Sequence, residues 1–173
     1  MQKYKTGPET ARLQYRQFTV DDAEAFFSLN SHPDVMRYTG EPVLRSLEAA
    51  KDAITRHRDF DEVGYGRWAC VLKETQSIIG FCGLKYLQDL DVVDVGYRFL
   101  PEYWGRGLAT EACTASLDFG FSTLQLDQIV GLVLPENAAS IRVLEKVEMQ
   151  LDGEFVYDGM LALRYFKRRP ESA

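Results

Sequence analysis

The chain has 173 residues, 46% of them hydrophobic, and a formal net charge of -6 from 20 Lys and Arg against 26 Asp and Glu; this length supports one domain over residues 1–173 with a sizeable core and leaves little room for a second. The acidic balance argues against direct nucleic-acid binding, which needs a basic field to neutralise phosphates, and suits an amine or other cationic partner. No apolar stretch has the length of a signal core or a membrane span, and Cys70, Cys82 and Cys113 lie in apolar runs without a C-x-x-C spacing, as reduced core thiols do, so a cytoplasmic protein with no membrane partner is expected.

After a polar start expected to be frayed, "ARLQYRQF" alternates as a strand, and "TVDDAEAFFSLN" follows as a helix with acidic residues in its first turn and apolar Ala23, Phe26 and Phe27. "PDVMRYTG" reads as a short helical piece ended by Gly40. "SLEAAKDAITRHRDF" reads as a helix capped by Ser46, with Leu47, Ala50 and Ile54 on one face. Three β-rich runs come next, "YGRWACVLK", "SIIGFCGLKYL" and "VVDVGYRFL", joined by polar turns as consecutive antiparallel strands. A helix beginning at Leu108 carries Ala112, Ala115 and Phe119 on a face of mostly small residues, suited to close docking on a sheet. "DQIVGLVLP" is a buried-type strand, "NAASIRVLEKV" a helix capped by Asn137, and two strands near Leu151–Tyr157 and Met160–Lys167 close the chain. The order β α α β β β α β α β β gives an α/β (α+β) fold with a mixed, mostly antiparallel twisted sheet of about seven strands flanked by helices. The strands near 92–99 and 128–134 should be parallel neighbours across a βαβ crossover.

The turn between that first strand and its helix is "LPEYWGRGLATEA". Glycines at 105 and 107 immediately before a helix leave backbone N–H groups pointing into open space, the physics of an anion or phosphate site. A P-loop is excluded because Leu108 to Thr110 does not supply Gly-Lys-Ser/Thr. A dinucleotide fingerprint needs a third glycine where Thr110 stands and a doubly wound sheet that the antiparallel strands upstream do not make, although Asp127 sits where a ribose carboxylate would.

"YRFLPEYWGRGLATEA" followed by "PENAASIRVLEKVEM" resembles the GNAT acetyltransferase superfamily, whose phosphate turn has the pattern Gln/Arg-x-x-Gly-x-Gly/Ala, and most of all the branch of ribosomal-protein N-terminal acetyltransferases. "LQYRQFTVDDAEAFFSLNSHPDVMRY" and "SIIGFCGL" resemble the first strand and helices and the third strand of that branch. The resemblance implies the acyl-CoA N-acyltransferase fold and acetyl-CoA as cosubstrate, with no metal. It also implies transfer of acetyl to a primary amine, foremost a protein N-terminal α-amine, with a small-molecule amine or a non-catalytic acyl-CoA-binding module as alternatives. A monomer or homodimer is expected. The implied cofactor contacts are the pyrophosphate on the amides of Trp104, Gly105, Arg106, Gly107, Leu108 and Ala109, the pantetheine arm along Tyr97, Arg98 and Phe99, and the sulfur end near Asn137 and Ser140. Arg142 and Lys146, four apart on one helical face, are either a solvated face or contacts of the terminal phosphate.

Several positions depart from the family pattern. Glu102 replaces the first Gln or Arg, Leu144 stands where many members carry the tyrosine that protonates the leaving thiolate, and Glu148 stands where a helix-ending glycine motif is common, so that helix end is expected to be strained or extended. Ser140 is then the substitute acid. An α-amine, with a pKa near 8, must lose a proton before it attacks. Asp94 in "DVVDVGYRF" is the candidate base, with Glu41 next, while His32 and His57 read as structural. Neither Cys82 nor Cys113 has a cationic neighbour in sequence that would activate it as a nucleophile.

Overall fold

The computed structural model describes residues 1–171. Strands β1 (Thr6–Glu9), β2 (Leu13–Arg16), β3 (Arg67–Leu72), β4 (Ser77–Leu87), β5 (Val92–Phe99), β6 (Gln128–Val133), β7 (Gln150–Tyr157) and β8 (Met160–Arg168) form one sheet in the order β1-β2-β3-β4-β5-β6-β8-β7. Every neighbouring pair is antiparallel except β5 with β6, which is parallel as the βαβ reading requires. Helices α1 (Ala23–Ser31), α2 (Pro33–Met36), α3 (Leu47–Arg56) and α4 (Asp59–Glu62) precede β3, while α5 (Leu108–Ser122) and α6 (Ala138–Lys146) flank β6.

Two features differ from the sequence expectation. The start of the chain is not frayed: β1 adds an eighth strand against β2, and the Tyr4 carbonyl accepts a 2.8 Å hydrogen bond from Trp68 Nε1. The long helix expected over "SLEAAKDAITRHRDF" is two pieces. Ser46 caps α3 by accepting from the Ala49 amide, but His57 is extended (φ -71, ψ 114), and the bend carries Phe60 into the core, where its ring tilts 6.3 Å from that of Trp68. Burial of one aromatic ring outweighs a few more residues of helix propensity.

α5 docks on β4 and β5 through small residues. Ala112, Cys113 and Ser116 are buried, and a Cβ at Gly120 would stand 2.5 Å from Ile129 Cδ1, so any side chain there would have to displace the packed ends of Ile129 and Leu84. Along this interface Trp68, Cys70, Cys82, Leu84 and Val95 alternate inward. The three cysteines are free and buried, and burial raises all three thiol pKa values. On the opposite face the register sets Phe81 opposite Arg98, Gly83 opposite Gly96 and Lys85 opposite Asp94, with Arg67 beside Gly83. A charged row thus faces the N-terminal helices, which keep a small core of their own around Ala23, Ala50 and Ile54. Among the described residues no helix is long and apolar enough to cross a membrane.

Candidate active site

β5 and β6 register at one pair, Asp94 opposite Val130, and separate towards their carboxyl ends. The separation leaves the Leu132 N–H without a strand partner at this seam, and Asp94 Oδ1 accepts it at 3.1 Å. Beyond that bridge lies a cleft of about 780 Å³, bounded by Tyr97 to Phe99 on one side and Leu132 to Leu134 on the other, with Asn137, Ser140 and the glycine turn along its length.

The turn is open and rigidly backed. Gly105 and Gly107 have φ of +71° and +76°, a region L-residues avoid, and a Cβ on Gly105 would find nothing within 4 Å. Among the described residues the amides of Leu108, Ala109 and Thr110, the first turn of α5, have no backbone acceptor. Behind the turn, Arg12 donates from Nε to Glu111 Oε2 at 2.7 Å and from Nη1 to the Arg106 carbonyl at 2.8 Å, while Thr10 donates to Glu111 Oε1 at 2.7 Å. Burial alone would raise the Glu111 pKa, but these hydrogen bonds and the Arg12 charge hold it below its ordinary value. Leu108 is buried as an anchor, whereas Trp104 is 50% exposed and fixed by its Nε1–H to the Phe99 carbonyl at 2.7 Å. Arg106 keeps its guanidinium over the Tyr103 ring, 5.6 Å from the centroid. Sequence reasoning found the turn and missed Arg12 and Glu111, about a hundred residues apart, since nothing local couples them.

At the other wall Asn137 Oδ1 accepts from the Ser140 amide at 3.2 Å and caps α6. Tyr97 donates its hydroxyl to the Ser140 carbonyl at 3.1 Å, and burial raises its phenol pKa, so it is neutral. The Ser140 hydroxyl makes no hydrogen bond to a described residue. Leu144 is buried against Gly131, confirming that α6 presents no phenol there. Arg142 and Lys146 also line the cleft.

The expected site residues divide by direction. Phe99 is 4% exposed and packs into the core, leaving only its backbone to a ligand, while Arg98 turns to the opposite face. There it donates to Asn30 Oδ1 at 2.7 Å and to Glu41 Oε2 at 2.8 Å, and lies over the Phe81 ring at 5.2 Å. Asp94 points the same way, its Oδ2 2.7 Å from Arg67 Nη2. Burial raises the Asp94 pKa, and Arg67 and the Leu132 amide pull it down without cancelling the effect. The Arg67 guanidinium fills the space a side chain at Gly96 would need, so the glycine is what lets the pair form. Arg67 and Lys85 are site residues the sequence reading did not single out. Their only local signal is a charge inside an apolar strand run.

The profile of the Acetyltransferase (GNAT) domain matches residues 12–150. The Bacillus subtilis protein named "Uncharacterized N-acetyltransferase YoaA" is 36% identical over 147 residues, covering 84% of this chain and 83% of that one. A crystal structure of a GNAT-family acetyltransferase from Bacillus anthracis superposes with a TM-score of 0.81 at 26% identity, covering 93% of this chain and 97% of its own. The same fold is seen in ribosomal-protein-S5-alanine acetyltransferase from Vibrio fischeri (TM-score 0.72, 21% identity, 95% and 97% covered). It is seen again in spermidine N-acetyltransferase from Vibrio cholerae in complex with CoA and spermine (TM-score 0.75, 20% identity, 92% and 97% covered). With an open glycine turn, a cleft where β5 and β6 part and a family match over most of its length, the chain belongs to the GNAT acetyltransferases and is an acetyl-CoA-dependent acyltransferase.

Proposed function

We propose that this acetyltransferase moves an acetyl group to a protein N-terminal α-amine. The observation that carries the reading is the continuity of the cleft from the open amides of the glycine turn, past Asn137 and Ser140, to Asp94 and the charged face beyond it. The likeness to the ribosomal-protein branch supports the α-amine as acceptor. The residues present fit acetyl-CoA, because the turn has room for phosphate where a Cβ would find open space.

Bound acetyl-CoA supplies an activated acetyl thioester. The amides from Gly105 to Ala109, with the Arg106 charge, hold its pyrophosphate, the Trp104 amide expected to join them being taken by the Pro101 carbonyl at 3.0 Å; the free edge of Tyr97, Arg98 and Phe99 binds the pantetheine arm, and Asn137 and Ser140 take the sulfur end. Asp94 takes the proton from the acceptor ammonium, and the resulting neutral amine attacks the thioester carbonyl; a carboxylate whose pKa burial has raised suits that task. The Ser140 hydroxyl, free of other partners, donates towards the departing thiolate.

The test is release of free thiol from acetyl-CoA with peptides whose N-terminus is free or blocked, followed by mass spectrometry of the product. Acetyl on the α-nitrogen of free peptides alone is expected. Release with spermidine but not with any peptide would make this a small-amine enzyme, and CoA binding without release would make it a binding module.

A further inference from the structure

A second cavity, of about 230 Å³, lies between the charged face of the sheet and the N-terminal helices. It meets the first at Glu41, Arg67, Phe81, Lys85 and Arg98, which line both. Its floor is apolar, from Phe18, Phe26, Met36, Leu44, Ile54 and Phe60. A dry cavity of about 150 Å³ lined by such residues holds a benzene ring, so a phenyl or leucyl side chain fits here.

The mouth of this cavity is cationic although the chain as a whole is acidic. Arg98 is closed off by Glu41 and Asn30, and Asp94, the base for the reacting amine, is balanced by Arg67 and the Leu132 amide. Two donors remain. Arg67 Nε is buried and has no hydrogen-bond partner, and Lys85 has no ion-pair partner among the described residues. His57, also at the cavity, has its pKa lowered by burial and by Lys85 and Arg67, with Asp59 pulling the other way, so the neutral imidazole is favoured and it adds no positive charge. Of the carboxylates around the two cavities, Glu41 pairs with Arg98 and Asp94 with Arg67, while Asp34 and Asp158 line only the larger cleft, so a polycation in the smaller cavity would bring its second ammonium against Lys85.

We propose that this cavity is the acceptor pocket and that it selects a primary amine on a large apolar group with an anionic group beside it, held by Lys85. This deepens the acetyl-transfer reading and rests on it. The chemistry is offered by a protein N-terminus with an apolar first residue and an acidic second one, or by a free apolar amino acid.

The experiment measures kcat/KM by thiol release with the peptides Phe-Asp-Ala-Ala, Phe-Lys-Ala-Ala and Ala-Asp-Ala-Ala as C-terminal amides, with free phenylalanine and with spermidine. Phe-Asp should exceed Phe-Lys by about fivefold, the size of one exposed charge pair, and exceed Ala-Asp by tenfold or more; spermidine should be poorest. Free phenylalanine matching Phe-Asp would assign the site to amino acids, and a much weaker rate would assign it to protein N-termini. Either supports the shared chemistry. Lys85→Glu should reverse the Asp-over-Lys preference, and Ala53→Phe, which fills the cavity from α3, should erase the Phe-over-Ala preference. Spermidine as the best acceptor, or a Phe-Asp to Phe-Lys ratio near one that Lys85→Glu leaves unmoved, would overturn the inference while acetyl transfer stands. No release with any acceptor by a protein that still binds CoA would overturn both readings.

Discussion

At Asp94 one carboxylate bridges two strands and faces the cleft: Oδ2 lies 2.7 Å from Arg67 Nη2 and Oδ1 accepts from Leu132 at 3.1 Å. Asp94→Asn keeps the amide contact and loses basicity. We expect kcat to fall about 10²- to 10⁴-fold with CoA affinity nearly constant, and the acid-side limb of the pH profile, which burial shifts upward from the ordinary Asp value, to disappear. Near-normal kcat at neutral and alkaline pH would move the base elsewhere, with Glu41, 2.8 Å from Arg98, the next variant to make. Gly105 offers a cleaner probe of the phosphate turn than a bulky substitution, because a Cβ there meets nothing within 4 Å in the free protein. Gly105→Ala should cost about 1 kcal/mol of stability through its φ of +71°. It should also weaken CoA binding by tenfold or more, about 1.4 kcal/mol. Calorimetric titration beside a thermal melt separates the two effects, and unchanged affinity would show that the glycine pair does not carry the pyrophosphate.

Two elements carry their own tests. The C-terminus of α6 ends on Glu148 in the left-handed region, φ +62°, with the Met149 amide donating to the Leu144 carbonyl, so the glycine-type cap geometry forms without its glycine. The Glu148 side chain is 84% exposed and its contact with Lys167 is 3.3 Å long, so little is lost by removing it. Glu148→Gly should stabilise the protein by about 1 kcal/mol in urea denaturation. The start of α5 depends on Glu111, whose folded pKa is depressed by Thr10 and Arg12 against the opposing effect of burial. A depressed carboxyl pKa contributes stability that is complete above the unfolded value of about 4.3 and is lost as pH falls through the folded one. Glu111→Gln should therefore lose about 1–2 kcal/mol at neutral pH, and its stability should decline less than that of the parent on acidification through that window. A parallel decline in both proteins would remove Glu111 from the account.

For the whole molecule, a ligand that binds only the folded state at about a hundred times its dissociation constant adds about 2.7 kcal/mol. In a chain of this length that raises Tm by about 5–10 °C. Acetyl-CoA should produce the shift and NADH should not. A shift with NADH alone would contradict the cleft's assignment, since the turn lacks the third glycine of a dinucleotide site.

Most of the element order and the position of the glycine turn were legible in the sequence, because both are local: the strand, Gly105, Gly107 and the helix from Leu108 are contiguous, as are Asn137 and the helix it caps. The charged face of the sheet was settled only in three dimensions. Arg67, Lys85, Asp94 and Arg98 share one face because strand register aligns residues far apart in the chain, and Arg12 reaches Glu111 across 99 positions. Likewise β1 and the bend at His57 exist because Trp68 and Phe60 are buried together, a tertiary gain that no local propensity encodes.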